Sequence, residues 1–278
     1  MLFYINIMFF DIVSDLHIDQ WEPKFKIKHP CGKVSNYPFQ FPKTNSDYLI
    51  IAGDVSDDID LTVNYLNELS KYTHYKNILF VDGNHEHVNS YPNLISADNI
   101  YSKIKNLKNN KIIYLRKEPF RFKEVVIVGA NGWWDYCNKD SKEIENCKNY
   151  FKEWIHDYKE KEATDFIDNV LHTADLEYHY LKYKLEVYSK DIDIKKIIVV
   201  THSCPYITQI KHKNILSTIV NSKTQSFNTS YPKLSHWIFG HIHDTIETIE
   251  NNIHFISNPR GRPEDLNRIK YNLKNFYI

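Results

Sequence analysis

Ile78-Leu79-Phe80-Val81-Asp82-Gly83-Asn84-His85-Glu86 sets a run of large apolar side chains directly against a glycine and a row of polar groups. An uninterrupted run of this length, bounded by a turn signal, reads as a strand covered on both faces. The polar residues then fall where the chain leaves the strand end. The same grammar recurs along the chain. Phe9 to Val13 leads to Asp15-Leu16-His17, and Tyr48 to Ala52 leads to Gly53-Asp54. Ile197 to Val200 leads to Thr201-His202, and Trp237 to Phe239 leads to Gly240-His241-Ile242-His243. Two further runs, Val125 to Val128 and Ile253 to Ile256, lead to Asn131-Gly132 and Asn258. Helical spacing at Leu61 to Tyr72 and at Ala97 to Leu107 separates several of these strands. The pattern predicts an α/β layered fold with sheets at its centre and functional groups collected at carboxyl ends of strands.

Glycine usage sharpens the signal. The chain has 7 Gly in 278 residues, far below the usual level of about 7%. Gly53, Gly83 and Gly240 all fall inside the motifs, which marks places where the backbone needs a positive φ or a close approach. The motif side chains are aspartate, asparagine and histidine, in the right number for two adjacent metal ions. Two cations that share a carboxylate generate hydroxide at neutral pH and clamp a phosphate.

Composition bounds the rest. Hydrophobic residues are 42% and charged residues 25% of the chain, ordinary for a globular protein with a sizeable core. Lys+Arg and Asp+Glu are both 35, so the net charge is zero, which argues against a broad electrostatic grip on nucleic acid. Cys31, Cys137, Cys147 and Cys204 lack CxxC spacing and suit a reducing cytoplasm. The apolar start, MLFYINIMFF, is too short to span a bilayer, lacks a basic region before it, and reads as a buried strand. Between Trp133 and Cys204 there is neither Gly nor Pro. There Ile144, Cys147 and Phe151, then Phe166, Val170, Ala174, Leu181 and Leu185, keep a helical spacing with a slip near Asp175. A single domain over 1–278 with a helical insertion at about 136–192 follows, either as a cap over the site or as a layer on the sheet. Residues 19–46, with Pro23, Pro30, Pro38 and Pro42, read as one long loop.

Taken together, the motifs resemble the calcineurin-like metallophosphoesterase superfamily, whose pattern is D-x-H, G-D, G-N-H-[DE], H and G-H-x-H. The resemblance runs from Asp15 to about Arg262. It implies a four-layer αββα sandwich and a phosphoester hydrolase. It also implies that Asp15, His17, Asp54 and His243 hold one ion and that Asp54, Asn84, His202 and His241 hold the other, Asp54 bridging both. Manganese, iron, zinc or nickel suits such mixed imidazole and carboxylate ligands. A bridging hydroxide is the implied nucleophile, and His85 the implied catalytic histidine assisting the leaving group, oriented by Asp57 or Asp58. Glu86 matches the family's acidic position as a structural hydrogen-bonding residue, and His87 has no implied role. Thr201-His202-Ser203 and Ser257-Asn258-Pro259-Arg260-Gly261-Arg262 resemble the T-H-H and S-N-P-R-G-Y strings of one branch, with Ser203 in place of a histidine and Arg262 in place of the tyrosine. Asn258 and Arg260 are the implied substrate contacts, with Arg262 an alternative to Arg260. A phosphodiester of small or medium size is the favoured substrate. A nuclease, a phosphomonoesterase, a lipid-precursor hydrolase and a non-catalytic metal-binding scaffold are the competing readings, and the scaffold is weakened because no motif residue is lost.

Overall fold

Strands covered on both faces must carry apolar side chains in both directions, and the central strands do. In the computed structural model, the described residues are 7–21, 27–28, 34–35, 41–154, 160–205, 218, 220–265 and 271–278, with 27–28, 34–35, 150–154 and 160 described by backbone alone. The strands are β1 (Phe9–Val13), β2 (Ile27–Lys28), β3 (Val34–Ser35), β4 (Tyr48–Ala52), β5 (Asn77–Val81), β6 (Ile112–Tyr114), β7 (Phe120–Phe122), β8 (Val125–Ala130), β9 (Lys196–Thr201), β10 (Leu234–Phe239), β11 (Ile246–Glu250), β12 (Ile253–Ser257) and β13 (Lys274–Tyr277). A five-stranded sheet has the order β13-β1-β4-β5-β6, and a six-stranded sheet the order β11-β12-β10-β9-β8-β7. In each, the inner strands run parallel and antiparallel strands close the edges: β13 on β1 in the first, β7 on β8 and β11 on β12 in the second. Among the described residues β2 and β3 pair with each other in a separate two-stranded sheet.

Period-two alternation sorts each apolar run into two cores. Ile50 and Ala52, Leu79 and Val81, Ile198 and Val200, Ile238 and Ile256 meet in the layer between the sheets. Their neighbours Leu49, Ile51, Ile78 and Phe80 face outward beneath α1 (Ile59–Tyr72) and α2 (Ala97–Asn106). Both helices begin on side-chain caps, Asp58 accepting from Leu61 N and Ser96 from Asn99 N. On the other side Val126, Ile197, Val199 and Trp237 face outward. Gly129 lets the sheets approach: an added Cβ would lie 2.5 Å from Val81 Cγ1 on the facing sheet and 2.9 Å from Val200 O on the neighbouring strand.

The helical stretch contains α3 (Tyr136–Lys139), α4 (Ser141–Trp154) and α5 (Glu160–Lys190). α3 is a single turn in which Tyr136, Cys137, Asn138 and Lys139 all have positive φ. α5 is continuous through the slip at Asp175, and the slip marks a change of contact face. Phe166, Val170 and Ala174 pack on Trp133, Trp134 and Tyr136, whereas Leu181 and Leu185 join the outer face of the six-stranded sheet. The layer reading therefore describes the second half of α5. A final turn, α6 (Phe227–Ser230), buries Phe227 beside Trp237. Most of the 19–46 loop, Cys31 and residues 1–6 lie outside the described residues, as do the side chains of Phe151 and Trp154. No described helix is long and apolar enough to cross a membrane.

His236 on β10 sits between the rings of Phe276 and His254, 5.1 Å and 5.5 Å away. Burial first, then the charges of His254 and Lys196, lower its pKa to about 4. The unfolded chain therefore binds the extra proton between pH 6.5 and 4, and this group withdraws stability as pH falls through that window. His236→Gln is expected to flatten the acid limb of the stability curve relative to wild type, read by urea unfolding at successive pH values.

Candidate metal centre

Parallel strands of both sheets deliver their carboxyl ends to one rim. Asp15 and His17 follow β1, Asp54 follows β4, and Asn84 and His85 follow β5, whereas His202 follows β9, and His241 and His243 follow β10. Backbone bonds stitch the rim: Asp15 N donates to Gly53 O at 3.0 Å, and Gly240 N to His202 O at 2.9 Å. Side chains also cross between the sheets: Asp15 Oδ1 accepts from His241 N at 3.0 Å. Glycine is required here by space: a Cβ on Gly83 would overlap the Asp54 carboxylate, and one on Gly240 would lie 2.6 Å from Asp15 Oδ2.

Asp15, His17, Asp54, His241 and His243 all have positive φ, between 41° and 71°. A left-handed non-glycine residue costs about 1–3 kcal/mol and persists only where the surroundings over-determine it. Glu86 is the strongest such constraint. Its buried carboxylate accepts from Gly83 N (2.6 Å), Val55 N (2.7 Å), Asp54 N (3.0 Å), Ser56 N (3.3 Å) and the Thr62 hydroxyl (3.1 Å). One carboxylate thus fixes the turn after β4 to the turn after β5.

Acceptor atoms converge on two places. His202 Nε2 lies 3.1 Å from Asp54 Oδ2 and 3.0 Å from Asn84 Oδ1, while its Nδ1 lies 2.9 Å from Ala52 O. Donation from Nδ1 to that carbonyl fixes the ring with Nε2 facing the two oxygens. His241 Nε2 lies 2.8 Å from Thr218 O, and the ring stacks on Trp134. At the second place, His17 Nε2 and His243 Nε2 are 3.1 Å apart, and Asp15 Oδ1 lies 3.4 Å from His243 Nε2. His243 Nδ1 is held by Asp265 Oδ2 at 2.7 Å, the carboxylate–histidine arrangement that orients metal-binding imidazoles. Imidazole nitrogens and carboxylate oxygens converging at these distances share either a proton or a cation. Asp15, His17 and His243 form one cluster able to hold an ion, and Asp54, His202 and His241 form another.

The electrostatics agree. Burial lowers His17 to about 3, and burial with the charge of His202 lowers His241 to about 4, so both offer neutral nitrogens. Burial also disfavours a charged His202, yet Asp54 beside it draws the group up to about 10. Asp15, despite burial, is pulled down to about 2 by His243. The carboxylates thus stay ionised and recruit positive charge.

His85 Nδ1 lies 2.6 Å from Asp57 Oδ1, and His85 Nε2 stands 3.9 Å from Asp54 Oδ2 and 2.9 Å from Arg262 Nη2. Of the two orienting carboxylates the sequence offered, Asp57 makes the contact, and Asp58 is engaged in capping α1. Although burial lowers it, Asp54 and the bond to Asp57 raise the His85 pKa above its ordinary value. A proton and the Arg262 guanidinium therefore compete for the same Nε2. His87 acquires a place: its Nδ1 accepts from Ile95 N and its Nε2 donates to Asp82, which also takes the Tyr114 hydroxyl and Asn131 Nδ2. Asn131 O in turn accepts from His202 N at 2.8 Å. Asn258 and Arg260, the expected substrate contacts, are engaged within the fold. Asn258 Nδ2 donates to Ile12 O, the Tyr271 hydroxyl and Asn272 O, and the Arg260 guanidinium lies 3.8 Å over the Trp21 ring. Cys204 is a buried free thiol, and burial raises it well above its usual pKa.

The family model for calcineurin-like phosphoesterases matches residues 8–245. No curated protein matches the chain. Among solved structures, the phosphopantetheinyl hydrolase of Mycobacterium tuberculosis is similar with a TM-score of 0.66 at 18% identity, covering 96% of this chain and 95% of that one. A dimetal phosphatase from Danio rerio is similar with a TM-score of 0.51 at 10% identity, covering 98% of this chain and 92% of that one. Both likenesses are of fold.

Removing the Glu86 carboxylate strands several buried backbone donors, each worth about 1–3 kcal/mol. Glu86→Ala is expected to lose about 3 kcal/mol or more, and Glu86→Gln, which keeps one accepting oxygen, less. Urea unfolding of the metal-stripped proteins measures both.

Proposed function

The chain belongs to the calcineurin-like phosphoesterase family, and from that premise we propose that it cleaves phosphodiesters at a pair of divalent ions. Metal-dependent phosphoester hydrolysis is the activity of the family, and the clusters of histidine and aspartate fit its dinuclear centre. In our reading Asp15, His17, Asp54 and His243 hold one ion, and Asp54, Asn84, His202 and His241 the other. When bound, two such ions supply a nucleophile at neutral pH and neutralise phosphate oxygens. The observation that carries the reading is the approach of His202 Nε2 to Asp54 Oδ2 at 3.1 Å and to Asn84 Oδ1 at 3.0 Å, beside a second cluster of Asp15, His17 and His243.

The residues of the chain do the rest. In this reading Asp54 is shared between the two ions, since His202 Nε2 at 3.1 Å and His17 Nε2 at 4.0 Å both approach its Oδ2. Ala52 O and Asp265 hold the far nitrogens of His202 and His243, which keeps their other nitrogens turned inward. Asn84 brings a neutral oxygen, so it adds no repulsion toward an incoming phosphate. His85, oriented through Nδ1 by Asp57, carries a proton on Nε2 to the departing oxygen. The free thiols of Cys137, Cys147 and Cys204 suit a reducing, cytoplasmic setting.

Metal-stripped protein resupplied with manganese is expected to turn over bis-p-nitrophenyl phosphate faster than p-nitrophenyl phosphate. The reverse order makes it a phosphomonoesterase. Asp54→Asn is expected to lose bound metal and about a thousandfold in turnover. His85→Ala is expected to keep its metal and lose about a hundredfold or more in kcat. Metal content by emission spectrometry separates the two effects, and an Asp54→Asn protein with full metal and full activity overturns the assignment.

A further inference from the structure

Arg262 brings a guanidinium to the rim without an anion to match it. Its side-chain partner is the neutral acceptor His85 Nε2, at 2.9 Å. Its Nε is buried and has no hydrogen-bond partner. Among the described residues, no carboxylate lies within ion-pair distance of it. A half-buried guanidinium is ordinarily matched by a carboxylate or an anionic ligand, because desolvating an uncompensated cation is costly. Arg260, two residues earlier, differs: its guanidinium is stacked on Trp21.

The backbone presents this side chain deliberately. Gly261 N donates to Asp15 O at 2.8 Å, and Arg262 N donates to Asp265 Oδ2 at 2.6 Å. The same Asp265 oxygen holds His243 Nδ1. Arg262 is thus registered against two members of the candidate metal cluster, while its side chain stays clear of their carboxylates. The sequence departs from the branch pattern here, with a cation where that pattern has a tyrosine.

We propose that Arg262 is a substrate-contacting residue that binds a non-bridging phosphoryl oxygen. The proposal rests on the phosphoester reading above, since it names the anion this guanidinium meets. Without substrate, Arg262 rests on the lone pair of His85 Nε2. A phosphoryl oxygen carries charge and is the stronger acceptor for a guanidinium fork. On arrival it draws Arg262 away from His85 Nε2.

The test uses manganese-loaded protein, with bis-p-nitrophenyl phosphate as substrate and inorganic phosphate as inhibitor. Arg262→Ala is expected to raise KM and the phosphate inhibition constant together by about tenfold or more. Arg262→Lys, which restores the charge without the fork, falls between. Metal content and melting temperature stay at wild-type values, because the backbone bond to Asp265 does not need the side chain. A loss confined to kcat, with KM and phosphate inhibition unchanged, would make Arg262 a support for His85 and overturn the proposal. If wild-type protein turns over no substrate, the phosphodiesterase reading fails on its own. Calorimetric titration of inorganic phosphate into the loaded wild-type and Arg262→Ala proteins then decides this point, equal affinities overturning it and weaker binding by the variant upholding it.

Discussion

A single buried carboxylate, Asp54, holds this molecule's site together. It lies at the seam of the two sheets, with His202 Nε2 at 3.1 Å, His85 Nε2 at 3.9 Å and His17 Nε2 at 4.0 Å from the same oxygen. Its other oxygen accepts from His85 N. A charge so deep persists only when surrounded by donors and positive partners. That requirement explains the bare Cα of Gly83 beside it, the left-handed backbone of its neighbours, and the inward aim of imidazoles from both sheets.

Strain and support are matched at this seam. The residues with left-handed backbone are those whose side chains turn inward as the chain leaves the strand. Each is held by bonds from a different strand end: His17 N to Asp54 O, His241 N to Asp15, and the turn after β4 to Glu86. Buried polar networks are stable when every member is satisfied. The chain Tyr114–Asp82–Asn131 runs from one sheet to the other and ends on the backbone of His202, with Asn131 Oδ1 its one unpartnered atom among the described residues.

The central strands were legible because burial on both faces writes an unbroken apolar run, and the motifs were legible because their residue types suit one chemistry. The edges were less so. β7, β11 and β13 are short and half-exposed, and β11, Ile246–Glu250, breaks the period-two pattern with Glu247 and Thr248 side by side. The supporting carboxylates were hidden for another reason. Asp11, accepting from Thr44, Ser46 and Tyr75, and Glu177, accepting from Gly132 N, find partners far along the chain, and nothing local announces them. Asp265 was hidden in the same way, and the choice of Asp57 over Asp58 depended on which of two adjacent side chains faced His85. Left-handed φ at aspartate and histidine leaves no compositional trace, unlike φ > 0 at glycine.

His17 and His243 face each other across 226 positions of sequence. Holding the ends of so long a loop together carries an entropic cost that grows with the logarithm of its length. An ion shared by these two imidazoles acts as a clasp on nearly the whole polypeptide, closing it much as a cross-link would. Since the open chain cannot present the pair, every such ion favours the closed state by mass action. In the proposed assignment the centre that serves chemistry would also lock the chain's topology, with the first and last motif strands as its two anchors.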